Sequence, residues 1–240
     1  MGIDDGRLDG KVVWVTGAGR GLGRALALAM SRAGARVAAM SRTAGDLEDL
    51  AAKAPGEVLW GAVDVREAEA VAAFAGRIID AWGRLDAVVS NAGIGRYGDF
   101  LDQSYAELGL VVDVNLKGPM FVAHAALPHL LAGGGGHLVH IASDLARRPL
   151  AKMAPYAATK HGLLGFSASL LQEFKGRGLK VTTVNPGIID TGFGDSQPDS
   201  RDESWALRPA ALADVVLHVL TQPGSVVIDE ITVHPLGQDF

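Results

Sequence analysis

The sequence predicts one α/β domain in which a parallel, doubly wound sheet is covered by helices on both faces. Short β-branched runs alternate strictly with longer segments rich in alanine and leucine, which is typical of strands joined by crossover helices. The strand candidates are almost continuously apolar, as expected for a sheet that is buried on both faces. A chain of 240 residues that is 48% hydrophobic can build one core, and no linker divides it. The predicted architecture is therefore a single domain spanning residues 1–240.

Seven strands and five helices are predicted from the apolar runs. We expect strands at 11–16, 36–41, 58–63, 85–91, 137–143, 179–184 and 226–233. We expect helices at 23–34, 43–53, 67–82, 105–132 and 155–177, the fourth ended by the four glycines at 133–136. The polar stretch at 192–205 has no such pattern. Because a long irregular segment in a compact domain is usually functional or disordered, we expect a lid over the active site, with a passive surface loop as the alternative.

The composition argues against several classes of protein and site. A formal net charge of -5 argues against a nucleic-acid partner, because such proteins usually carry a basic stripe. The chain has no cysteine, and its seven histidines are scattered, so we expect neither a disulfide nor a metal site. The polar start at 1–9 does not resemble a signal peptide, and no run approaches the ~18 apolar residues of a membrane span. We therefore expect a cytoplasmic protein with no membrane partner.

A glycine-rich turn between the first strand and the first helix predicts a dinucleotide site. Residues 16–23 read Thr-Gly-Ala-Gly-Arg-Gly-Leu-Gly. Glycines let the backbone turn tightly and approach a pyrophosphate, which then lies at the positive end of the helix. The position between strand and helix is the one that a Rossmann-type fold requires, and a glycine-rich surface turn is the alternative. The predicted binding residues are Gly17, Gly19, Arg20, Gly21, Leu22 and Gly23.

The end of the second strand favours NADP(H) over NAD. NAD-binding folds usually place a carboxylate there to bind the ribose 2′-hydroxyl, whereas an arginine suits a 2′-phosphate. This chain has Ser41 and Arg42 at that point, and Arg20 could reach the same phosphate from the glycine turn. A guanidinium offers a phosphate several hydrogen bonds in one plane. The alternative is that both arginines are ordinary solvated charges.

Ser143, Tyr156 and Lys160 have a spacing that suits proton transfer to a carbonyl oxygen. Tyr156 follows Ser143 by 13 positions and precedes Lys160 by four, so the tyrosine and the lysine share one face of a helix. We expect the lysine ammonium to favour the phenolate and so to lower the pKa of Tyr156. The serine hydroxyl can hold the substrate oxygen while hydride reaches carbon and a proton reaches oxygen. A Tyr/Lys pair alone is usually a surface feature, so the accompanying motifs decide whether this pair is catalytic.

The whole set of motifs resembles the classical short-chain dehydrogenases/reductases, over essentially the whole chain. Several separate motifs in the same order argue against a chance match. Besides the turn at 16–23, the matching residues are Asp64, Val65, Asn91, Ala92, Gly93, Asn115, Ser143, Tyr156, Lys160, Pro186 and Gly187.

The resemblance implies roles on the adenosine side of the cofactor. In such enzymes the residue matching Asp64 binds the adenine amino group, and Val65 packs nearby. Asn91, Ala92 and Gly93 line the adenosine side, and Asn91 also steadies the central strands. The alternatives are a simple helix cap for Asp64 and an ordinary turn for 91–93.

The resemblance also implies roles around the reacting groups. The match to Asn115 lies in a break of the long helix and holds a water that relays protons through Lys160, which also binds the nicotinamide ribose hydroxyls. A further segment fixes the nicotinamide carboxamide through the Ile189 backbone and the Thr191 hydroxyl. The residues that match this segment are Pro186, Gly187, Ile189 and Thr191.

The resemblance implies an NADP(H)-dependent carbonyl reductase that acts on a small-molecule carbonyl or secondary alcohol, with Tyr156 as the general acid/base. No metal is needed, because the nicotinamide carries the hydride. The two long helices of such enzymes form a four-helix dimer interface and tetramers are common, so we expect a homo-oligomer, as a dimer or a homotetramer.

Two other functions remain open at this point. One is a 3-oxoacyl-thioester (acyl-carrier-protein) reductase, although residues 231–240 lack the Asp-Gly-Gly ending common in that branch. The other is a dinucleotide-sensing protein without chemistry, which would have no need of a proton relay.

Overall fold

The predicted alternation of strands and helices is confirmed in the computed structural model, which describes residues 7–193 and 200–238. The strands are β1 (Val12–Thr16), β2 (Arg36–Ser41), β3 (Val58–Ala62), β4 (Ala87–Ser90), β5 (Gly136–Ile141), β6 (Leu179–Pro186) and β7 (Glu230–Val233). The helices are α1 (Gly21–Arg32), α2 (Ala44–Lys53), α3 (Ala68–Trp82), α4 (Tyr105–Val112), α5 (Gly118–Ala132), α6 (Ala154–Phe174) and α7 (Pro209–Leu220).

The seven strands form one parallel sheet in the order β3-β2-β1-β4-β5-β6-β7. The direction of the strand order reverses between β1 and β4, so the connections on either side diverge there. This divergence leaves a crevice at the carboxyl ends of the strands, where doubly wound folds bind their ligands. The predicted seven-stranded, doubly wound domain is therefore confirmed.

Two apolar layers, one on each face of the sheet, form the core. On one face, α1, α2 and α7 bury residues such as Leu26, Leu47 and Val216. On the other face, α3, α5 and α6 bury residues such as Phe74 and Leu130. Both faces are covered, which explains why the strands read as continuous apolar runs.

Helix α7 is absent from the predicted elements. Its valines at 215, 216 and 219 are β-branched, which lowers helix propensity, so the run does not stand out as a helix. In the structure, Pro209 stands in the first turn, where its missing N–H costs nothing, and Leu212 and Val216 are buried at helical spacing. Strand β7 is shorter than the predicted 226–233, because only Glu230–Val233 pair with β6.

The predicted helix at 105–132 is continuous but contains a π-helical segment, Asp113–Lys117, between α4 and α5. This segment is the break that the resemblance places at Asn115. By length and composition alone, the stretch Tyr105–Ala132 would be apolar enough to cross a membrane. Val122 and Leu130 are nevertheless fully buried against the sheet, as in a core helix.

Two buried histidines on β5 lie on opposite faces of the sheet. His137 Nε2 lies 2.7 Å from the Thr182 hydroxyl oxygen, and His140 Nδ1 lies 2.7 Å from the Ser167 hydroxyl oxygen. The second nitrogen of each ring has no hydrogen-bond partner among the described residues. Burial lowers the pKa of both histidines to about 3.

We expect the protein to lose stability as the pH falls from about 6.5 towards 3. Imidazoles with an ordinary pKa of about 6.5 bind protons in the unfolded chain, whereas His137 and His140 stay neutral in the folded chain. Each histidine should then cost about 1.4 kcal/mol per pH unit within that window. Urea unfolding at several pH values measures the slope. His140→Gln should reduce the slope, and the same change at the exposed His218 should not; equal slopes in both variants would contradict the assignment.

Candidate active site

The predicted site residues lie together at the carboxyl edge of the sheet. The glycine turn follows β1, Ser41 ends β2, Asn91 follows β4, and Ser143 follows β5. Carboxyl ends of parallel strands share one edge, so motifs far apart in the chain converge there. Pro186 ends β6 at the same edge. The other predicted residues lie on helices or loops that begin there: Asp64, Val65, Asn115, Tyr156, Lys160, Gly187, Ile189 and Thr191.

The glycine turn has a backbone that fits a pyrophosphate. Gly17 and Gly21 adopt positive φ angles of 66° and 53°. A Cβ on Gly17 would lie 2.9 Å from the Ala92 Cα, and a Cβ on Gly23 would overlap the carbonyl oxygen of Gly17. Helix α1 has no side-chain cap at Arg20 and no acidic residue in its first turn. Its first N–H groups can therefore bind an anion.

The neighbouring positions of the turn serve different ends. Leu22 points into the core beneath the turn. A Cβ on Gly19 would lie 2.8 Å from the Ser41 hydroxyl oxygen and 3.0 Å from the Asp46 Cβ. Glycine at this position therefore lets the turn approach the ends of β2 and α2 closely.

The charges at this outer end of the turn are mixed. Arg20 and Arg42 are exposed, and neither forms an ion pair with the residues described in 7–193 and 200–238. Both guanidinium groups can thus bind a phosphate. Asp46, which no sequence motif indicates, lies here as well, and its carboxylate opposes a phosphate at this place.

Asp64 is engaged locally by Arg66. Its two carboxylate oxygens accept hydrogen bonds from the Arg66 guanidinium at 2.7 and 3.0 Å, and Oδ1 also accepts from the Arg66 backbone N–H. These hydrogen bonds from Arg66 lower the pKa of Asp64. The carboxylate therefore fixes the turn before α3, and its contact with adenine stays a prediction. Val65 is buried against Gly118, on which a Cβ would lie 2.9 Å from the Val65 Cγ2.

Thr16 and Asn91 join the ends of β1 and β4. The Thr16 hydroxyl accepts hydrogen bonds from the backbone N–H groups of Asn91 and Ala92, each at 3.0 Å. The Asn91 amide donates back to the Thr16 carbonyl oxygen at 3.0 Å. This exchange fits the role in steadying the central strands that the resemblance implies for Asn91.

Asn115 holds the loop after β4 through its side chain. Its amide donates to the Ile94 carbonyl oxygen and accepts from the Ile94 N–H, both at 2.8 Å. Asn115 is buried in the π-helical segment, where the wider turn directs its side chain towards this loop. A Cβ on Gly93 would lie 3.4 Å from Asn115 Oδ1 and 3.9 Å from Lys160 Nζ. Gly93 thus lies beside both the asparagine and the lysine, at ordinary contact distance.

Ser143, Tyr156 and Lys160 converge at the centre of the crevice and are all buried. Lys160 Nζ lies 5.5 Å from the centroid of the Tyr156 ring and donates a hydrogen bond to the Ile141 carbonyl oxygen at 2.8 Å. The Ser143 hydroxyl donates to Asp144 Oδ1 at 3.1 Å. Helical spacing on α6 and the end of β5 therefore bring the three groups together, as the spacing predicts.

The expected lowering of the Tyr156 pKa by Lys160 is wrong for this structure. Burial raises the pKa of Tyr156 to about 12; the Ser143 hydroxyl opposes this rise and the Asp144 carboxylate adds to it. Burial also lowers the pKa of Lys160 to about 8. Removal of the phenolate from water is the largest cause, and Lys160, itself desolvated and bonded to Ile141, does not offset it.

The segment after β6 returns to the glycine turn. Thr191 is buried, and its Cβ and Cγ2 would lie 3.5 Å from a Cβ on Gly21. Asp190, almost wholly buried, accepts a hydrogen bond from Arg208 at 2.6 Å. Ile189 lies beside Leu207 in an isolated parallel bridge. The predicted carboxamide segment is therefore held against both α1 and the start of α7.

Phe193 forms an aromatic wall beside Tyr156. The two ring centroids lie 5.9 Å apart in an edge-to-face arrangement, and a Cβ on Gly95 would overlap the Phe193 ring. A side chain at position 95 would therefore displace this ring from Tyr156. The predicted lid at 192–205 begins next to this wall, but its residues 194–199 lie outside the described residues.

Sequence reasoning missed Asp144, Phe193 and Gln238 as well as Asp46. Asp144 stands next to Ser143, so a charged side chain beside the serine was a signal that could have been used. Gln238 hydrogen-bonds to Asp144 from 94 positions away, and the sequence carries no sign of this pairing. Among residues 7–193 and 200–238, no group of three His, Asp or Glu side chains could hold a metal ion.

Comparison with known proteins places the chain in a family. The family model described as short chain dehydrogenase matches residues 11–202. An uncharacterized oxidoreductase of Staphylococcus aureus is 34% identical over 231 residues, which cover 95% of this chain and 99% of the relative.

Solved structures are similar over the same length. An alcohol dehydrogenase from the archaeon Thermococcus sibiricus, complexed with 5-hydroxy-NADP, has a TM-score of 0.90 at 30% identity, covering 95% of this chain and 98% of the other. A 3-ketoacyl-(acyl-carrier-protein) reductase from Brucella melitensis, complexed with NADH, has a TM-score of 0.89 at 26% identity, covering 97% and 100%. With the matched fold, the glycine turn and the convergent Ser143, Tyr156 and Lys160, these likenesses show that the chain is an oxidoreductase of the short-chain dehydrogenase family.

Proposed function

We propose that the protein is an NADP(H)-dependent oxidoreductase that moves hydride between nicotinamide and a carbonyl or secondary alcohol, with Tyr156 as the general acid/base. The observation that carries this proposal is the convergence of Ser143, Tyr156 and Lys160 beside a glycine turn that fits a pyrophosphate. The NADP derivative bound to the similar archaeal alcohol dehydrogenase supports both the cofactor and the substrate class.

The dinucleotide, when bound, supplies the hydride. The residues of this protein bind the substrate, transfer the proton and orient the cofactor. Ser143 donates a hydrogen bond to the substrate oxygen, and Tyr156 gives that oxygen a proton. Lys160 holds the nicotinamide ribose and, with Asn115 and a water, returns a proton to Tyr156, as the resemblance implies. The Ile189 backbone and the Thr191 hydroxyl would orient the carboxamide, from the segment that packs on Gly21.

The raised pKa of Tyr156 suits reduction. With its pKa at about 12, the phenol carries its proton at neutral pH and can act as the acid. Oxidation of an alcohol needs the phenolate as the base, so that direction should gain as the pH rises. The natural substrate is a small-molecule carbonyl or alcohol.

A 3-oxoacyl-thioester reductase is the second candidate, because one similar structure is a reductase of that kind. The ending of this chain differs from that branch, which favours the general carbonyl substrate. A dinucleotide sensor without chemistry has no use for the buried Ser143, Tyr156 and Lys160.

Three further expectations belong to the same proposal. Exposed apolar side chains on α4, namely Tyr105, Leu110 and Val112, support a homo-oligomer formed through this helix. A cytoplasmic location stays an expectation from the sequence. The lid expected at 192–205, which would include Phe193, stays a prediction, because residues 194–199 lie outside the described residues.

Tyr156→Phe should lower kcat for carbonyl reduction by roughly a hundredfold or more, because general acid catalysis contributes that much. The Kd for NADPH should stay close to that of the unchanged protein, since the hydroxyl does not build the phosphate site. Steady-state rates from NADPH absorbance and a fluorescence titration measure the two quantities. Tyr105→Phe, at an exposed tyrosine, serves as the control. Turnover that survives in Tyr156→Phe would exclude this residue as the proton donor.

Arg42→Asp should raise the Kd for NADPH by roughly tenfold through loss of a charge-assisted hydrogen bond to the 2′-phosphate, while the Kd for NADH changes little. Asp46→Asn should instead lower the Kd for NADPH, because it removes the carboxylate that opposes the phosphate. Arg32→Asp, at the far end of α1, makes the same charge change away from the turn. If the unchanged protein bound NADPH and NADH equally, the assignment of Ser41 and Arg42 to the phosphate would be wrong.

Phe193→Ala should raise kcat/KM for a bulky ketone relative to a small one by roughly tenfold, the usual effect of an apolar pocket contact on specificity. The ratio of rates with acetophenone and acetone measures the change. Phe193→Leu keeps much of the volume and should change the ratio less. An unchanged ratio in Phe193→Ala would show that the ring does not border the substrate.

A further inference from the structure

The turn at 234–238 contacts three segments of the active site. The Gly237 N–H donates to the Ser204 carbonyl oxygen at 2.8 Å, which joins the turn to the segment before α7. Gln238 accepts a hydrogen bond from the Ile188 N–H through Oε1 at 3.0 Å. Its Nε2 donates to Asp144 Oδ2 at 2.7 Å. One side chain thus bridges the predicted carboxamide segment and the residue next to Ser143.

The orientation of the Gln238 amide is determined by its two partners. Ile188 presents a backbone donor and Asp144 presents a carboxylate acceptor, so the amide oxygen and nitrogen cannot be exchanged without losing both hydrogen bonds. A Cβ on Gly187 would overlap Gln238 Oε1. A glycine at 187 therefore provides the space that this side chain occupies.

The Asp144 carboxylate connects Gln238 to the serine. Asp144 is buried; its Oδ2 accepts a hydrogen bond from Gln238, and its Oδ1 accepts one from the Ser143 hydroxyl at 3.1 Å. The Ser143 oxygen in turn accepts from the Leu145 N–H at 3.2 Å. The direction of the serine hydroxyl is thus determined by the position of the Asp144 carboxylate.

We propose that Gln238 and Asp144 are positioning residues of the active site. Gln238 holds the Asp144 carboxylate against Ser143 and, through Ile188, fixes the position of the predicted carboxamide segment relative to that carboxylate. This inference rests on the proposed carbonyl reduction, because it assigns Ser143 to the substrate oxygen. A substrate oxygen must compete with Asp144 for the hydrogen bond from the Ser143 hydroxyl, so the carboxylate sets how readily Ser143 donates to the substrate.

Asp144 also contributes charge to the environment of Tyr156. The charged groups that face the ring within the described residues are Asp144, after β5, and Lys160, on α6. Phe193, which packs on the ring from the segment after β6, carries no charge. Removing the Asp144 charge should lower the pKa of Tyr156. The phenol should then lose its proton at a lower pH, and the rate of carbonyl reduction should begin to fall at that lower pH.

A reversal of the two partners tests the geometry. In Gln238→Glu the residue can still accept from Ile188 but can no longer donate to Asp144. In Asp144→Asn the residue can still accept from Ser143, but its NH2 group then faces the NH2 group of Gln238, and two donors cannot form a hydrogen bond. In the double variant, Asn at 144 can donate to Glu at 238, and every hydrogen bond is restored with the charge moved away from Ser143.

We expect each single variant to lower kcat for carbonyl reduction by roughly tenfold and the double variant to recover most of it, as coupled residues do. The pH profile separates geometry from charge. The alkaline fall in rate should move to lower pH in Asp144→Asn and in the double variant, but not in Gln238→Glu. A purely structural role would change the melting temperature without moving this profile.

The inference is overturned if the single variants retain full activity, or if the double variant is no more active than the weaker single one. If Asp144→Asn does not fold, Gln238→Glu and Gln238→Ala are compared, and equal Ile188 amide exchange in the two would also overturn it. If the unchanged protein reduces no carbonyl with NADPH, the proposed function fails. The positioning role is then decided by Ile188 exchange alone, which should be faster in Gln238→Ala than in Gln238→Glu.

Discussion

The hydrogen bonds that join Thr16 to Asn91 and Ala92 hold the ends of β1 and β4 together where the strand order reverses. The crevice exists because the crossover connections diverge at this point, and its width is set by how closely the two strand ends approach. On one side, this close approach leaves no room for a side chain on Gly17. On the other side, it directs the chain from Asn91 towards Ile94, which Asn115 then binds.

The centre of the crevice concentrates polar groups that are costly to bury. Tyr156 and Lys160 are desolvated, and their pKa values move in opposite directions for the same physical reason. The phenol is kept neutral, and the ammonium is held by the Ile141 carbonyl oxygen. In the proposed reaction, these groups can transfer protons in surroundings that the fold, and not water, provides.

Much of the fold could be predicted from the sequence, because burial on both faces of the sheet makes the strands visible as apolar runs. The family was likewise visible, since its motifs are local and follow strand ends. Helix α7 was missed because β-branched valines obscure helical propensity. The direction of the Tyr156 pKa was wrong because it depends on desolvation, which spacing along a helix does not reveal. The pairing of Asp144 with Gln238 could not be predicted, because two polar residues far apart in the chain leave no periodic signal.

The bond from Gln238 to Asp144 also has a consequence for how the protein is made. The two residues are 94 positions apart, and β7 and the turn at 234–238 are the last of the described elements to be synthesised. The nascent chain can build the glycine turn and the first strands early, because these contacts are nearer in sequence. Contacts of high sequence separation form late, since loop closure must precede them. Ser143 therefore reaches its native surroundings only after the end of the sheet has been translated and docked.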